Sequence, residues 1–427
     1  MNQPAPPRLE LVAVGLDHST AAIDLRERVA FADGAIAPAL AQLTDGADPL
    51  LEQAAILSTC NRVELYGAVR ARRSQEELMS FLARYHGLEP HELTGRVYVH
   101  RGDEVAHHLA ATSAGMHSLV IGEAQIQGQV RQALEHAVAA GTAGTELRRL
   151  FEAALSAGRQ VRSRTALARG VASVPHASID FVRQRLGTLS RSTVLLIGAG
   201  TTGELAAKHL SKHGVRDLLV LGRDRARAAR LAERYGGRAV TSDQLGEALA
   251  RADVVITSTG APHVIVHRDE LEAALADRGV NSQPLLLIDL AVPRDVDPAV
   301  AGLAGVEVYT IDDLRPVVAG TLAQRSAELP AAYSIVRAEV ARFTRWLSRR
   351  EATASLRPLS TEVEQARAAA LETALEQLSS LSPDDREVLD AMTRGLARTL
   401  LERVGARLHM PPIGAPELIT EPSALAG

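Results

Sequence analysis

The 427-residue chain contains a single cysteine. It falls in the run Ser58-Thr59-Cys60-Asn61-Arg62-Val63-Glu64-Leu65-Tyr66. A core cysteine behaves as a small hydrophobe, and Thr, Asn and Arg are poor company for one. A guanidinium two residues away favours the thiolate, the form that acts as a nucleophile. Ala54 to Leu57 read as a buried strand. Val63, Leu65 and Gly67 alternate with Arg62 and Glu64, as in a second, half-buried strand. Thr59-Cys60-Asn61 is therefore expected at the turn between two strands, reachable on a rigid frame.

A second run carries different chemistry. Gly198-Ala199-Gly200-Thr201-Thr202-Gly203 follows the apolar stretch Thr193–Ile197 and precedes a helix expected over Glu204–His213, closed by Gly214. Strand before and helix after are what Gly-x-Gly-x-x-Gly needs to bind a dinucleotide, its pyrophosphate at the helix N-terminus. The next strand, Leu218–Leu221, ends in Gly222-Arg223 rather than an acidic residue, which suits a 2′-phosphate. Asp224 is expected to cap the following helix. Further strands over Val254–Thr257 and Leu285–Ile288 end in the turns 258–262 and 289–294, where open α/β sheets bind ligands.

A third run is Ser118-Leu119-Val120-Ile121-Gly122-Glu123-Ala124-Gln125-Ile126-Gln127-Gly128-Gln129. Its polar side chains can hold the amine and carboxylate of an amino acid. A helix capped by Ser118 or Gly122 before Glu123 explains the pattern equally well. His107-His108 precede it. No cysteine or acidic partner lies at zinc spacing, so no metal is expected, whereas an imidazole suits proton transfer. Arg148, Arg149, Arg159, Arg162, Arg164 and Arg169 are offset by Glu146 and Glu152 alone, giving either a solvated helix face or a phosphate-contacting surface.

Together these runs resemble the glutamyl-tRNA reductases, whose signature the Cys60 stretch matches. Gly15-Leu16-Asp17-His18-Ser19-Thr20 with Leu25-Arg26-Glu27 resembles the family's opening motif, with Ala22 in place of a usual proline. The Ser118–Val130 run is similar to the family's glutamate-binding segment. Here His117 replaces the aspartate usual before that serine, which removes a charge. The resemblance implies that Cys60 attacks the ester carbonyl of glutamyl-tRNA(Glu), forming a thioester that NADPH reduces to glutamate-1-semialdehyde, the opening step of tetrapyrrole synthesis. It implies that Thr59, Asn61, Arg62, Ser118, Glu123, Ala124, Gln125 and Gln129 hold the glutamyl group and that His108 assists catalysis. Gly198, Ala199, Gly200, Thr201, Thr202, Gly203 and Arg223 would bind NADPH. A homodimer through C-terminal helices is implied, with product transfer to glutamate-1-semialdehyde aminotransferase. Two alternatives remain: a shikimate- or quinate-type dehydrogenase, supported by the cofactor domain, and a non-catalytic tRNA-binding regulator, supported by His117.

These runs need elements to position them. Strands over Leu9–Gly15, around Cys60 and over Val97–His100, with helices over Ala35–Leu43 and Gln75–Tyr85, give a β-α-β-β-α-β order, a ferredoxin-like unit. A helical pattern then runs from Asp103, a plausible N-cap, to Arg169, with Val105, Leu109 and Thr112 toward the core. From Asp312 the pattern is almost wholly helical, with Pro316 near its start and a bend at Pro330. Val336, Val340, Phe343 and Leu347, then Val363, Ala370, Ala374 and Leu378, recur at helical spacing. A last helix runs from Pro383 through Met392, Leu396, Leu400 and Val404. Such stripes are expected to pack against a second copy. Ala397-Arg398-Thr399-Leu400-Leu401 stands where the family usually has Asn-Lys-Leu-Leu-His, and residues from Met410 read as irregular.

The expected class is a multidomain α/β protein. Residues 1–168 form a ferredoxin-like α+β catalytic domain that binds glutamyl-tRNA. Residues 169–311 form a Rossmann-type NADP-binding domain, and 312–427 an all-α C-terminal dimerisation domain. A net charge of −4 creates no global basic field, and 3% aromatic residues argue against a base-stacking single-strand binder. One cysteine excludes an intrachain disulfide and fits a reducing compartment. Met1–Pro7 has no signal-peptide plan, and no apolar run spans a bilayer. A cytoplasmic protein with no membrane contact is expected.

Overall fold

The computed structural model describes residues 9–69, 75–167, 173–278, 283–314, 327–378 and 381–408. Arg169, Pro316 and everything from Met410 lie outside them. The chain divides into two compact units, Leu9–Phe343 and a second built from Thr344 onward.

The first unit opens with β1 (Glu10–Asp17), the short helix α1 (Ile23–Arg28) and α2 (Asp33–Thr44). Then come β2 (Gln53–Ser58), β3 (Arg62–Val69), α3 (Gln75–Tyr85) and β4 (Tyr98–Arg101). The four strands form one sheet in the order β2-β3-β1-β4, every pairing antiparallel. This is the ferredoxin-like arrangement. Helix α1 is too short for a periodic signal and was not foreseen. The half-burial expected of β3 is not observed, because all eight of its residues are buried. Arg62 and Glu64 can lie on a covered face because they pair with each other.

The helical pattern after Asp103 is not one helix. It resolves into α4 (Asp103–Ser113), α5 (Gln125–Ala139) and α6 (Thr145–Arg164). Gly102, not Asp103, holds the N-cap of α4. Val105, Leu109 and Thr112 are buried, as expected. Helix α4 stops at Ser113, just before Gly115, whose φ of +75° only glycine tolerates well; Gly122 further on has φ +85°. Their backbones then join, Gly122 N donating to Gly115 O at 2.9 Å. Residues 115–124 thus form a pinched loop that carries Ser118 and Glu123. A helix capped by Ser118 or Gly122 is not found, since Ala124 occupies the N-cap of α5 without a side-chain bond.

Helix α7 (Val174–Leu186) leads into the second sheet of this unit. Its elements are β5 (Thr193–Ile197), α8 (Thr201–Lys212), β6 (Asp217–Leu221), α9 (Arg225–Arg234), β7 (Arg238–Val240), α10 (Leu245–Arg251), β8 (Val254–Thr257), α11 (Arg268–Ala276), β9 (Leu285–Asp289) and β10 (Val306–Thr310). The order β10-β9-β8-β5-β6-β7 is parallel throughout. The chain reverses its direction of build between β5 and β8, the switch point where such sheets bind ligands. The central strands are buried runs of Val, Leu and Ile, as helices on both faces require. The edge strands β7 and β10 keep exposed or half-exposed residues and lack that signature.

Helix α12 (Leu329–Gln377) is continuous, with Pro330 at its second position. There the fixed φ is tolerated and no amide is missed, so the expected bend is absent. Val336, Val340 and Phe343 are buried within the first unit rather than left for a second copy. Phe343 and Val340 border the same small void as Ala106, Ala110 and Leu150 of α4 and α6, and Glu339 accepts from Gln160.

In the second unit, the rest of α12 pairs with α13 (Pro383–Leu408). Arg367 bridges them, bonding Glu364 and Asp390 at 2.6 Å each. Val388, Met392, Leu396 and Leu400 remain more than half exposed, an apolar stripe without cover in one copy. Among the described residues no helix is long and apolar enough to cross a membrane.

Candidate functional site

Cys60 sits at the apex of the β2–β3 turn. Thr59 shapes the turn: its amide donates to Arg62 O (2.9 Å), while its Oγ1 accepts from the amides of Asn61 and Arg62 (3.2 Å each). This is a threonine-based turn, which needs no glycine. From β1's end, His18 N donates to Asn61 O at 2.9 Å.

The turn forms one wall of a cavity of about 180 Å³. Thr59, Cys60, Asn61 and Arg62 line it together with Ser118, Glu123, Gln125 and Gln129. The opposite wall comes from the ends of the parallel strands: Thr202 of α8, Ser258 and Thr259 after β8, and Leu290, Ala291 and Val292 after β9. Two of the sequence-predicted substrate residues differ in their exposure to this space. Ala124 is not among the lining residues; its carbonyl accepts from Arg162. Arg62 lines the cavity, but its guanidinium is committed elsewhere.

That commitment limits what Arg62 does for the thiol. Arg62 is buried and donates to Glu64 (2.8 Å), to the carbonyl of His117 (2.5 Å) and weakly to Thr112 (3.4 Å). Glu64 also receives Tyr66 and Tyr98 hydroxyls at 2.6 and 2.5 Å and meets His108 Nε2 at 2.8 Å. Burial alone would push the Glu64 carboxyl up, but Arg62 and His108 outweigh it and hold it well below the usual range. A guanidinium so engaged does little for the thiol. Cys60 is pushed up to about 12, first by burial, then by the Glu123 carboxylate; Arg26 and, less, Arg62 oppose this. Burial likewise raises Glu123 to about 7, against a backbone hydrogen bond from Val174.

His108 is not among the cavity's lining residues. It stands behind Arg62, with Glu64 between them. Its ring lies against those of His100 (4.5 Å) and His117 (5.2 Å). His117, the residue in place of the usual aspartate, is held down to about 3 by burial and by His108 and Arg62. It therefore leaves this buried network with one carboxylate fewer to offset Arg62.

The glycine loop has two tight glycines and one open one. Gly198 has φ +116°, and a Cβ there would meet Ser258 O at 2.8 Å. A Cβ on Gly203 would lie 1.9 Å from Gly198 O. Gly200, the N-cap of α8, has nothing within 4 Å of such a Cβ. Ser258 Oγ beside this loop is buried and lacks a hydrogen-bond partner among the described residues. Free amides at a helix start, an open cradle at Gly200 and an orphaned hydroxyl fit a dinucleotide phosphate. Ala199, Thr201 and Arg223 belong to the same end of the sheet, Arg223 exposed just past β6, while Asp224 caps α9 by accepting from Arg227 N. Among the described residues no group of three His, Cys, Asp or Glu side chains is placed to hold a metal ion.

Some lining residues left no sequence signal as site residues. Val174 and Pro175 begin α7, and Ile311 follows the edge strand β10, two elements that the apolar spacing does not predict. Arg26 stood in a recognised motif but without a role. It is buried, and its Nη1 donates to the Cys60 carbonyl at 2.5 Å.

A lone thiol that shares a cavity with the switch point of a parallel dinucleotide-type sheet defines the class as a cofactor-dependent oxidoreductase. Comparison with known proteins narrows this. The family model for the glutamyl-tRNA(Glu) reductase N-terminal domain matches residues 14–165, that for shikimate/quinate 5-dehydrogenase 180–317, and that for the reductase dimerisation domain 331–411. The glutamyl-tRNA reductase of Chloroflexus aggregans is 44% identical over 92% of this chain and 89% of its own. That of Geobacter metallireducens is 38% identical over 94% and 92%. The solved glutamyl-tRNA reductase of Methanopyrus kandleri is 32% identical, covers 94% of each chain and superposes with a TM-score of 0.52. The chain belongs to the glutamyl-tRNA reductase family.

Proposed function

We infer that this protein is an NADPH-dependent glutamyl-tRNA reductase that forms glutamate-1-semialdehyde, the first step toward 5-aminolevulinate and tetrapyrroles. The observation that carries the reading is the shared cavity: the sole thiol, the polar loop and the glycine-loop end of the parallel sheet all border it. Thr59, Asn61, Ser118, Glu123, Gln125 and Gln129 hold the glutamyl group, with Arg62 as a buried support of the wall. The α-ammonium of the substrate pairs with Glu123. That pairing removes the like charge that holds the thiol up, so substrate binding itself favours the thiolate. Sγ then attacks the ester carbonyl, the bond to the ribose oxygen breaks, and that oxygen takes up the proton the thiol gave up, so that the tRNA leaves as an alcohol. The glutamyl group stays on Cys60 as a thioester, more electrophilic than the ester. Gly198–Gly203, Ser258 and Arg223 would hold NADPH, which supplies the hydride for reduction to the aldehyde. His108 acts through Glu64 on Arg62 rather than on the substrate.

The division into residues 1–168, 169–311 and 312–427 follows from this reading, and the exposed α13 stripe supports homodimerisation. A lone, unpaired cysteine supports a reducing, cytoplasmic setting. Because the aldehyde is reactive, direct transfer to glutamate-1-semialdehyde aminotransferase belongs to the proposal. The dehydrogenase alternative leaves the thiol and the terminal helices without use.

The test is mass spectrometry of protein mixed with glutamyl-tRNA and no NADPH. A glutamyl adduct on Cys60 is expected, and Cys60→Ser should form neither adduct nor aldehyde. Near-normal aldehyde formation by folded Cys60→Ser would refute the mechanism; absence of aldehyde from wild type with NADPH would refute the activity and favour the regulator.

A further inference from the structure

Helix α1 is six residues long, yet three of its side chains bond to residues beside the ends of the parallel sheet. Arg26 Nη1 donates to the Cys60 carbonyl (2.5 Å) and lies 3.5 Å from Asn61 Oδ1. Its Nη2 donates to Asp312 at 2.6 Å, just past β10 and next to the cavity-lining Ile311. On the same helix, Glu27 takes Arg294 Nε on both carboxylate oxygens (2.9 Å each) and the Arg294 amide at 2.6 Å. Asp24 takes Arg294 Nη2 at 2.6 Å. Arg294 ends the turn that lends Leu290, Ala291 and Val292 to the far wall.

We propose that α1 is a tie between the two walls and that Arg26 is its positioning residue, holding the Cys60 turn in register with the cofactor-binding half of the cavity. The physical reason lies in Arg26. Its side chain is only 1% exposed, and Asp312 is its ion-pair partner among the described residues. A guanidinium so buried is stable only while paired. Withdrawing the Asp312 wall strands that charge, so the two walls separate at a cost, and with them the partial enclosure of the half-buried thiol. The fork geometry matters, because one nitrogen serves the nucleophile's carbonyl while the other serves the second wall. Enclosure of the thiol is independent of the reaction; its use, keeping an acyl-Cys60 next to the cofactor and away from water, rests on the function proposed above.

The single cysteine makes the test direct. Full-length, cofactor-free protein is alkylated with iodoacetamide across a pH series. Wild type should react slowly. Asp312→Asn and Arg294→Met, each checked for unchanged circular dichroism, should react at least about tenfold faster with a profile shifted toward lower pH, because the half-buried thiol then opens further to water. Arg294→Lys, which keeps the charge, should return most of the wild-type protection. With glutamyl-tRNA and NADPH, the two loosened variants should release a larger share of the glutamyl group as free glutamate. If Asp312→Asn does not fold, Arg294→Met decides. Wild-type alkylation rates in folded Arg294→Met overturn the tie. If wild type makes no aldehyde while the alkylation differences hold, the function fails and the tie stands.

Discussion

At the scale of residues, the site is a buried charge arrangement whose signs can be followed. Above pH 7 Glu123 is ionised and repels a thiolate at Cys60. Replacing it with a neutral isostere removes that repulsion. Glu123→Gln is therefore expected to shift the pH profile of Cys60 alkylation toward lower pH, most clearly above pH 7, while weakening substrate capture. A profile unmoved from wild type would mean the two groups are not coupled. The Arg62–Glu64 pair makes a different prediction. Both side chains are 1% exposed, and breaking a buried pair costs about 3–5 kcal/mol. Glu64→Gln should lose stability of that order in a denaturant melt. Glu64 sits well below its ordinary value of 4.5, so its contribution is whole above that pH and fades as the pH falls through the folded value. The gap between wild type and variant should close in acid. A gap that stays constant would assign the loss to packing.

At the scale of elements, two glycine devices position the chemistry. One is the pinched loop after α4, where Gly115 and Gly122 at φ of +75° and +85° shape the segment that carries Ser118 and Glu123. The other is the loop before α8. Its three glycines are not equivalent, and this separates cofactor binding from folding. Gly203→Ala collides with Gly198 O and should lower the melting temperature of the protein. Gly200→Val meets no protein atom within 4 Å of its Cβ and should fold normally while blocking close approach of a pyrophosphate. Following labelled glutamate, we expect Gly200→Val to discharge glutamyl-tRNA and acylate Cys60, then release glutamate slowly rather than aldehyde. Failure of the folded variant to discharge the tRNA would mean that cofactor seating precedes acylation.

At the scale of the whole molecule, the exposed stripe on α13 marks where a second copy is needed. Burying one large aliphatic side chain contributes roughly 1.5–3 kcal/mol, so a charge at Met392 or Leu396 should weaken the dimer by about tenfold or more. Sedimentation of Met392→Glu/Leu396→Glu should show monomers at concentrations where wild type is dimeric; an unchanged dimer would move the interface elsewhere. The beginning of the same helix behaves differently, because Val336, Val340 and Phe343 are already buried in their own chain. Spacing alone identified both stretches as apolar and could not tell them apart, since period reports that a face is covered and not by what.

That contrast recurs throughout the chain. Features that depend on local sterics and periodicity were legible: the strand runs, the glycine loop in its strand–helix setting, the helix over Gln75–Tyr85, and the lone cysteine on a polar turn. The parallel core strands were legible because burial on both faces demands unbroken apolar runs. The edge strands β7 and β10 were not, because they lack that demand. The state of the site was likewise out of reach. Arg62 is two residues from Cys60 and was read as its activating charge, yet it is spent on Glu64 and His117. The cation that opposes the thiol's rise more strongly is Arg26, from 34 residues away. Its own partner, Asp312, is 286 residues further on. Residue types and their local order determined which groups this protein has for chemistry. Which of them are free, which are paired and how far each pKa moves were decided only when the fold brought distant charges into one buried space, where Coulomb's law acts through distance and dielectric and not through sequence separation.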